Sequence, residues 1–134
     1  MKLDHAALIV SNMAVSLNFY EKFLDLKIKR EFELSEKEAR ALFNIASPAR
    51  AIQLTMDKGM IELFDFKKGI AQTDGLSAPP SNGLFHLAFQ ISEPVEEFIN
   101  RARREDIPVF SITRGTHEIY FIRDPDGVLI EVKE

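Results

Sequence analysis

The 134-residue chain is 46% hydrophobic and 28% charged, with a formal net charge of −4. That composition describes one folded domain with a sizeable core, and without a basic block it argues against a nucleic-acid backbone as partner. Cysteine is absent, which excludes disulfides and thiol catalysis and leaves any metal to nitrogen and oxygen ligands. No apolar run approaches the roughly 20 residues that span a bilayer, so no membrane partner is expected. The N-terminus enters a strand pattern at once, without a signal-peptide layout. A soluble cytoplasmic protein is expected.

Residues 2–10 alternate as a first strand, and Ser11-Asn12 offers a helix cap. Residues 13–24 then form an amphipathic helix with Leu17, Tyr20 and Leu24 on one stripe and Phe19 and Phe23 widening it. Strand two covers 26–34. Ser35-Glu36-Lys37-Glu38 reads as a capping box opening a short helix to about Ile45, ended by Pro48. Residues 50–57 and 60–66 are strands around a tight turn at Lys58-Gly59. Residues 67–83 are rich in Gly, Pro, Ser and Asn and read as a linker, long enough for a functional loop or an exchange hinge. Strand 84–92 follows, then a helix with Pro94 in its first turn and Val95, Phe98, Ile99 and Ala102 as its apolar stripe. Strands 107–112, 117–123 and 128–133 complete the chain, the last two joined by the turn Asp124-Pro125-Asp126-Gly127.

The chain is one unit written twice. At the offset that carries His5 onto His86, Leu3 also falls on Leu84, Ala7 on Ala88, Asp25 on Asp106 and Ile28 on Val109. At a shorter offset, Ile61-Glu62-Leu63 falls on Ile130-Glu131-Val132. The small helix after Ser35, an insertion in the first copy, accounts for the difference. A single domain, 1–134, therefore comprises module 1–66, linker 67–83 and module 84–134, each module strand–helix–strand–strand–strand.

Each module carries a histidine on its first strand and a glutamate on its last. A lone histidine in an apolar strand is ordinarily a hydrogen-bonded core residue, and a glutamate between apolar neighbours is often the solvent side of a strand. Four such residues at duplicated positions carry more weight. About a pseudo-twofold axis, His5, Glu62, His86 and Glu131 converge as a two-nitrogen, two-oxygen set suited to a divalent transition metal with positions open for water or substrate.

Leu3-Asp4-His5, Phe19-Tyr20, Ile61-Glu62-Leu63-Phe64, Leu84-Phe85-His86-Leu87-Ala88 and Asp124-Pro125-Asp126-Gly127 with Ile130-Glu131-Val132 give the chain a resemblance to the vicinal oxygen chelate superfamily. That superfamily includes glyoxalase I, methylmalonyl-CoA epimerase, extradiol dioxygenases, and fosfomycin- and bleomycin-resistance proteins. The resemblance spans nearly the whole chain. It implies an α+β fold of two βαβββ modules forming a cupped mixed sheet around a metal, in a homodimer whose ligands come from one chain or from two. It implies metal ligands His5, Glu62, His86 and Glu131, in the His-Glu-His-Glu order of glyoxalase I, and a nickel, cobalt or zinc ion, with iron or manganese as further candidates.

The implied chemistry is that of a lyase or isomerase of the glyoxalase I or methylmalonyl-CoA epimerase kind, acting on a small molecule. A proton moves next to a carbonyl while the metal stabilises an enediolate or enolate. Glu131 is the expected base and Glu62 its counterpart. Two departures bear on substrate: the positions of glyoxalase I's glutathione-binding arginine and asparagine are Ile9 and Phe66, neither able to bind a glutathione carboxylate. Phe43, Phe64, Phe66, Phe110 and Phe121 are candidate cavity lining or plain core. His117-Glu118 and Tyr120 are weaker candidates for supporting roles, and Arg101, Arg103 and Arg104 read as a solvated helix face or a coenzyme phosphate site. Two other readings stand beside this one. An extradiol-type dioxygenase needs two histidines and one carboxylate, and the second carboxylate argues against it. A metal-free binding or resistance protein keeps the fold without needing the ligands.

Overall fold

A computed structural model describes residues 1–70 and 82–134. The greater part of the expected linker, residues 71–81, lies outside the described residues. The chain divides into two compact units, Met1–Gln72 and Thr73–Glu134.

In the first unit β1 (His5–Val10) leads into α1 (Met13–Leu17), which continues as a π-helical segment, Asn18–Phe23. β2 (Lys27–Leu34), α2 (Glu36–Phe43), β3 (Ala49–Met56) and β4 (Gly59–Phe66) follow. The strand order is β1-β4-β3-β2, with β1 parallel to β4 and the other pairs antiparallel. In the second unit β5 (Leu87–Gln90), α3 (Val95–Arg104), β6 (Val109–Arg114), β7 (His117–Arg123) and β8 (Leu129–Lys133) repeat that plan. The order is β5-β8-β7-β6, again parallel only between the first strand and the last. Among the described residues two four-stranded mixed sheets and three helices make an α+β fold, and the repeat seen in the sequence is a repeat of topology.

The two units share fine detail. Asp25 and Asp106, which match at the same offset as the two histidines, both end their helix in the left-handed conformation, with φ of 59° and 55°. Each is followed by a backbone bond that closes the helix end, Leu26 N–H to Tyr20 O and Ile107 N–H to Ala102 O, both 3.0 Å. The residue three past each glutamate accepts from the first turn of its unit's first helix. Asp65 Oδ2 accepts from the Met13 N–H at 3.0 Å and Glu134 Oε1 from the Val95 N–H at 2.9 Å. Strand, helix and glutamate are thus tied together the same way twice.

Each sheet packs one face against its helix. Leu8, Val10, Ile52, Leu54, Ile61 and Leu63 are buried in the first unit, where α1 lies on β4 with Phe19, Tyr20 and Phe23 buried below it. Phe98, Ile99, Ala102, Ile122, Ile130 and Val132 are buried in the second, where α3 lies against β6. Among the described residues no helix is long and apolar enough to cross a membrane.

Several expectations shift. The helix over 13–24 is α-helical only to Leu17. Beyond that it widens, the Leu24 N–H reaching back five residues to Phe19 O at 3.0 Å, and the wider turn accommodates three buried aromatic rings. The strand expected at 84–92 pairs only from Leu87 to Gln90, because β8 begins at Leu129 and offers little to pair with earlier residues. Leu84 and Phe85 are exposed and His86 stands just before the strand. The strand expected at 107–112 runs instead over Val109–Arg114.

Candidate functional site

The register of each sheet sets the site. Along β4 and its neighbours, Ala7, Glu62 and Gln53 lie side by side, so His5, two residues before Ala7, shares their face. In the second unit Ala88, Glu131 and Phe121 lie side by side, and His86 is two residues before Ala88. Both glutamates therefore project from the face opposite α1 and α3, which in the first unit is the face that α2 covers farther along at Phe64 and Phe66, and each has its histidine beside it. His5 Nε2 lies 3.4 Å from Glu62 Oε2, and His86 Nε2 lies 3.1 Å from Glu131 Oε2. The glutamates are mostly enclosed, 10% and 16% exposed, while the imidazoles remain open to solvent at 40% and 33%.

The structure thus brings the four expected residues together as two pairs, one in each unit. Among the described residues no group of three or more His, Asp or Glu side chains forms a metal cluster. The donor chemistry of each pair fits a cation. Two atoms bound to one ion at about 2.1 Å stand about 3.0–3.4 Å apart at octahedral or tetrahedral angles, and both N···O separations fall in that range. His5 also has the support usual for a ligand imidazole: its Nδ1 lies 3.0 Å from Asp4 Oδ2. That hydrogen bond holds the Asp4 carboxyl below the usual carboxylate range. The buried Nδ1 of His86 has no such partner. The residue at the position of Asp4 is Phe85, whose ring meets the imidazole edge-on, 5.7 Å between centroids.

Two residues that the sequence reading passed over complete the first pair. Gln53 Nε2 donates to Glu62 Oε1, and Arg30 Nε donates to Gln53 Oε1 at 3.0 Å. Gln53 was missed because the turn expected at Lys58-Gly59, which would set Gln53 opposite Phe64, lies instead at Asp57-Lys58, pairing Met56 with Gly59 and placing Gln53 opposite Glu62. Arg30 was not legible, because a bulge between Ile28 and Arg30 shifts β2 by one residue.

A family model described as the Glyoxalase/Bleomycin resistance protein/Dioxygenase superfamily matches residues 2–132. The chain belongs to this superfamily. Solved structures agree. A glyoxalase family protein from Enterococcus faecalis is 26% identical, covering 99% of this chain and 97% of its own, with a TM-score of 0.76. The trypanothione-dependent glyoxalase I of Leishmania major is 20% identical over 100% of this chain and 86% of its own, with a TM-score of 0.73. A glyoxalase/dioxygenase from Nostoc punctiforme is 24% identical over 98% and 88%, with a TM-score of 0.69. The last two bear on fold alone. No protein of curated function matches the sequence.

The remaining candidates in this glyoxalase-superfamily chain separate clearly. Phe64 and Phe66 are buried in a cluster with Leu34, Ala39, Ala49 and Ala51, with Phe32, Phe43 and Ile45 packed against it. This cluster is core, and α2 packs into it. Phe110 and Phe121 instead stack at 5.1 Å and 11°, with Phe110 40% exposed. Ile9 lies opposite Phe64 and is exposed, so the strand-one position bearing arginine in glyoxalase I is here an apolar surface. Tyr120 pairs with Val132, which puts it on the helix side, away from Glu131. His117 and Glu118 are exposed at the start of β7, with Glu118 hydrogen-bonded to Thr113. Arg101 is bridged to Glu93 and stacked on Phe98, as befits a solvated helix face.

Proposed function

We propose that the protein is a metal-dependent lyase or isomerase that moves a proton on a carbon beside a carbonyl, as glyoxalase I and methylmalonyl-CoA epimerase do. The observation that carries this reading is the duplicated His–Glu pair, His5–Glu62 and His86–Glu131, each at a spacing suited to a shared cation. The two pairs complete one centre, within a chain or between the chains of a homodimer. The two-nitrogen, two-oxygen set suits nickel, cobalt or zinc, with iron and manganese as weaker fits. When bound, such a cation supplies Lewis-acid polarisation of two neighbouring substrate oxygens.

The protein's own side chains do the rest. His5 and His86 present Nε2, and Glu62 presents Oε2. Glu131 takes the proton from the substrate carbon and returns it to the adjacent carbon or to the opposite face. Phe110 and Phe121 keep the space beside Glu131 apolar, which favours a small substrate with an uncharged, apolar portion. Ile9 and Phe66 place no charge where glyoxalase I holds a glutathione carboxylate, which disfavours a glutathione hemithioacetal as substrate. The chain's lack of cysteine accords with a cytoplasmic protein that needs no disulfide.

The test is deuterium exchange. Candidate α-hydroxy ketones, hemithioacetals of other thiols and branched thioesters are incubated in D₂O with the metal-loaded protein and followed by NMR. The expected result is exchange at the carbon beside the carbonyl, slowed about a hundredfold to ten-thousandfold in Glu131→Gln. Exchange that Glu131→Gln leaves untouched contradicts the role given to Glu131. Exchange with none of these substrates contradicts the reaction class.

A further inference from the structure

Building on the metal reading, we infer that Gln53 and Arg30 are positioning residues that hold Glu62 as a fixed, one-oxygen ligand. The first module is then the anchoring half of the site, and Glu131 the untethered carboxylate.

The hydrogen-bond chemistry of the row decides Gln53's role. Arg30 can only donate and the Glu62 carboxylate can only accept, so the residue between them must accept on one side and donate on the other. An amide does both. Its oxygen is fixed toward Arg30 Nε, 3.0 Å away, and its nitrogen toward Glu62 Oε1. Gln53 is only 5% exposed, so water competes little for these bonds. With Oε1 occupied, Glu62 has Oε2 left, which is the oxygen beside His5 Nε2.

The backbone is shaped to make the row. The bulge in β2 removes Lys29 from the position opposite Gln53 and puts Arg30 there. The Arg30 guanidinium is then steadied over the Phe32 ring, 4.9 Å from its centroid.

The second module has the same row with the polar groups replaced. Phe121 stands where Gln53 stands and Phe110 where Arg30 stands. Phe85 replaces Asp4 behind the histidine. None of these three can donate to Glu131; among the described residues the Lys133 ammonium lies 3.7 Å from its Oε1. One carboxylate is locked and its counterpart is free to swing, which is what a ligand and a base respectively need.

Cobalt(II) titration of the metal-free, full-length protein, followed by visible absorption, tests this. Gln53→Met is expected to bind Co²⁺ about tenfold to a hundredfold more weakly, with an altered d–d spectrum as Glu62 brings its second oxygen to the ion. Arg30→Met, on a solvent-exposed outer strand, is expected to move both readouts in the same direction by less, and Arg30→Lys to restore them. Wild-type affinity and spectrum in folded Gln53→Met, or in Arg30→Met should the former not fold, overturn the positioning role and leave the metal reading standing. A wild-type protein that binds no Co²⁺ through His5 and His86 overturns the metal reading, and this inference with it.

Discussion

Glu62 and Glu131 occupy one place in two copies of the same sheet, yet their neighbours differ in kind. Glu62 receives the Gln53 amide, whereas Glu131 faces the flat edge of a phenylalanine stack. Giving Glu131 the tether that Glu62 has should make it a better ligand and a poorer base. Phe121→Gln is therefore expected to keep or tighten metal affinity while slowing proton exchange about tenfold or more. Unchanged exchange with a folded, metal-loaded variant would show that freedom of the Glu131 carboxylate is irrelevant. At this scale the sequence disclosed the duplicated residues and hid their supports. His5, Glu62, His86 and Glu131 stand out because a fixed offset repeats them. Gln53 and Arg30 have no counterpart in the second copy, where Phe121 and Phe110 stand, so no repeat marks them. Arg30 further depends on a one-residue bulge that alternation cannot reveal.

The elements hold these residues by devices that recur. Asp65 and Glu134 cap their helices from three residues beyond each glutamate, and Asp25 and Asp106 close the helix ends in the left-handed conformation. The inserted α2 is the one addition. It covers Phe64 and Phe66, so the first sheet's far end is core while Phe110 and Ile112 of the second sheet stay exposed. The capping box that starts α2 was readable as Ser35-Glu36-Lys37-Glu38, and it is present: Glu38 accepts from Ser35 Oγ at 2.6 Å and from the Ser35 N–H at 2.8 Å. Those bonds hold the Glu38 carboxyl below the usual range. A carboxyl lowered by folding stabilises the fold above its unfolded value, about 4.3, and loses that contribution as pH falls through its lower folded value. The protection of the Ala39 amide, bonded to Ser35 O, measured against its intrinsic exchange rate at each pH, should therefore be constant above that range and fall below it. Glu38→Gln should flatten the step, and an equal step in Glu38→Gln would assign it elsewhere. The π-helical widening at Asn18–Phe23 was not readable, because an apolar stripe of period 3.6 does not report which backbone turn buries three aromatic rings.

At the scale of the whole molecule, duplication is the organising fact. Strand order, parallel pairing, helix caps and the His–Glu pair are each made twice. The topology was legible because each element carries its own period and its own turn, and because one offset relates the first strand and helix of each copy, from His5 and Asp25 to His86 and Asp106. Under the proposed metal reading, each unit supplies half of one ligand set. That makes stoichiometry the most direct check. Calorimetric titration of the metal-free protein with Ni²⁺ or Zn²⁺ should give one cation per chain, with binding lost alike in His5→Ala and in His86→Ala. Two independent weak sites per chain, or binding that survives either substitution, would contradict a shared centre.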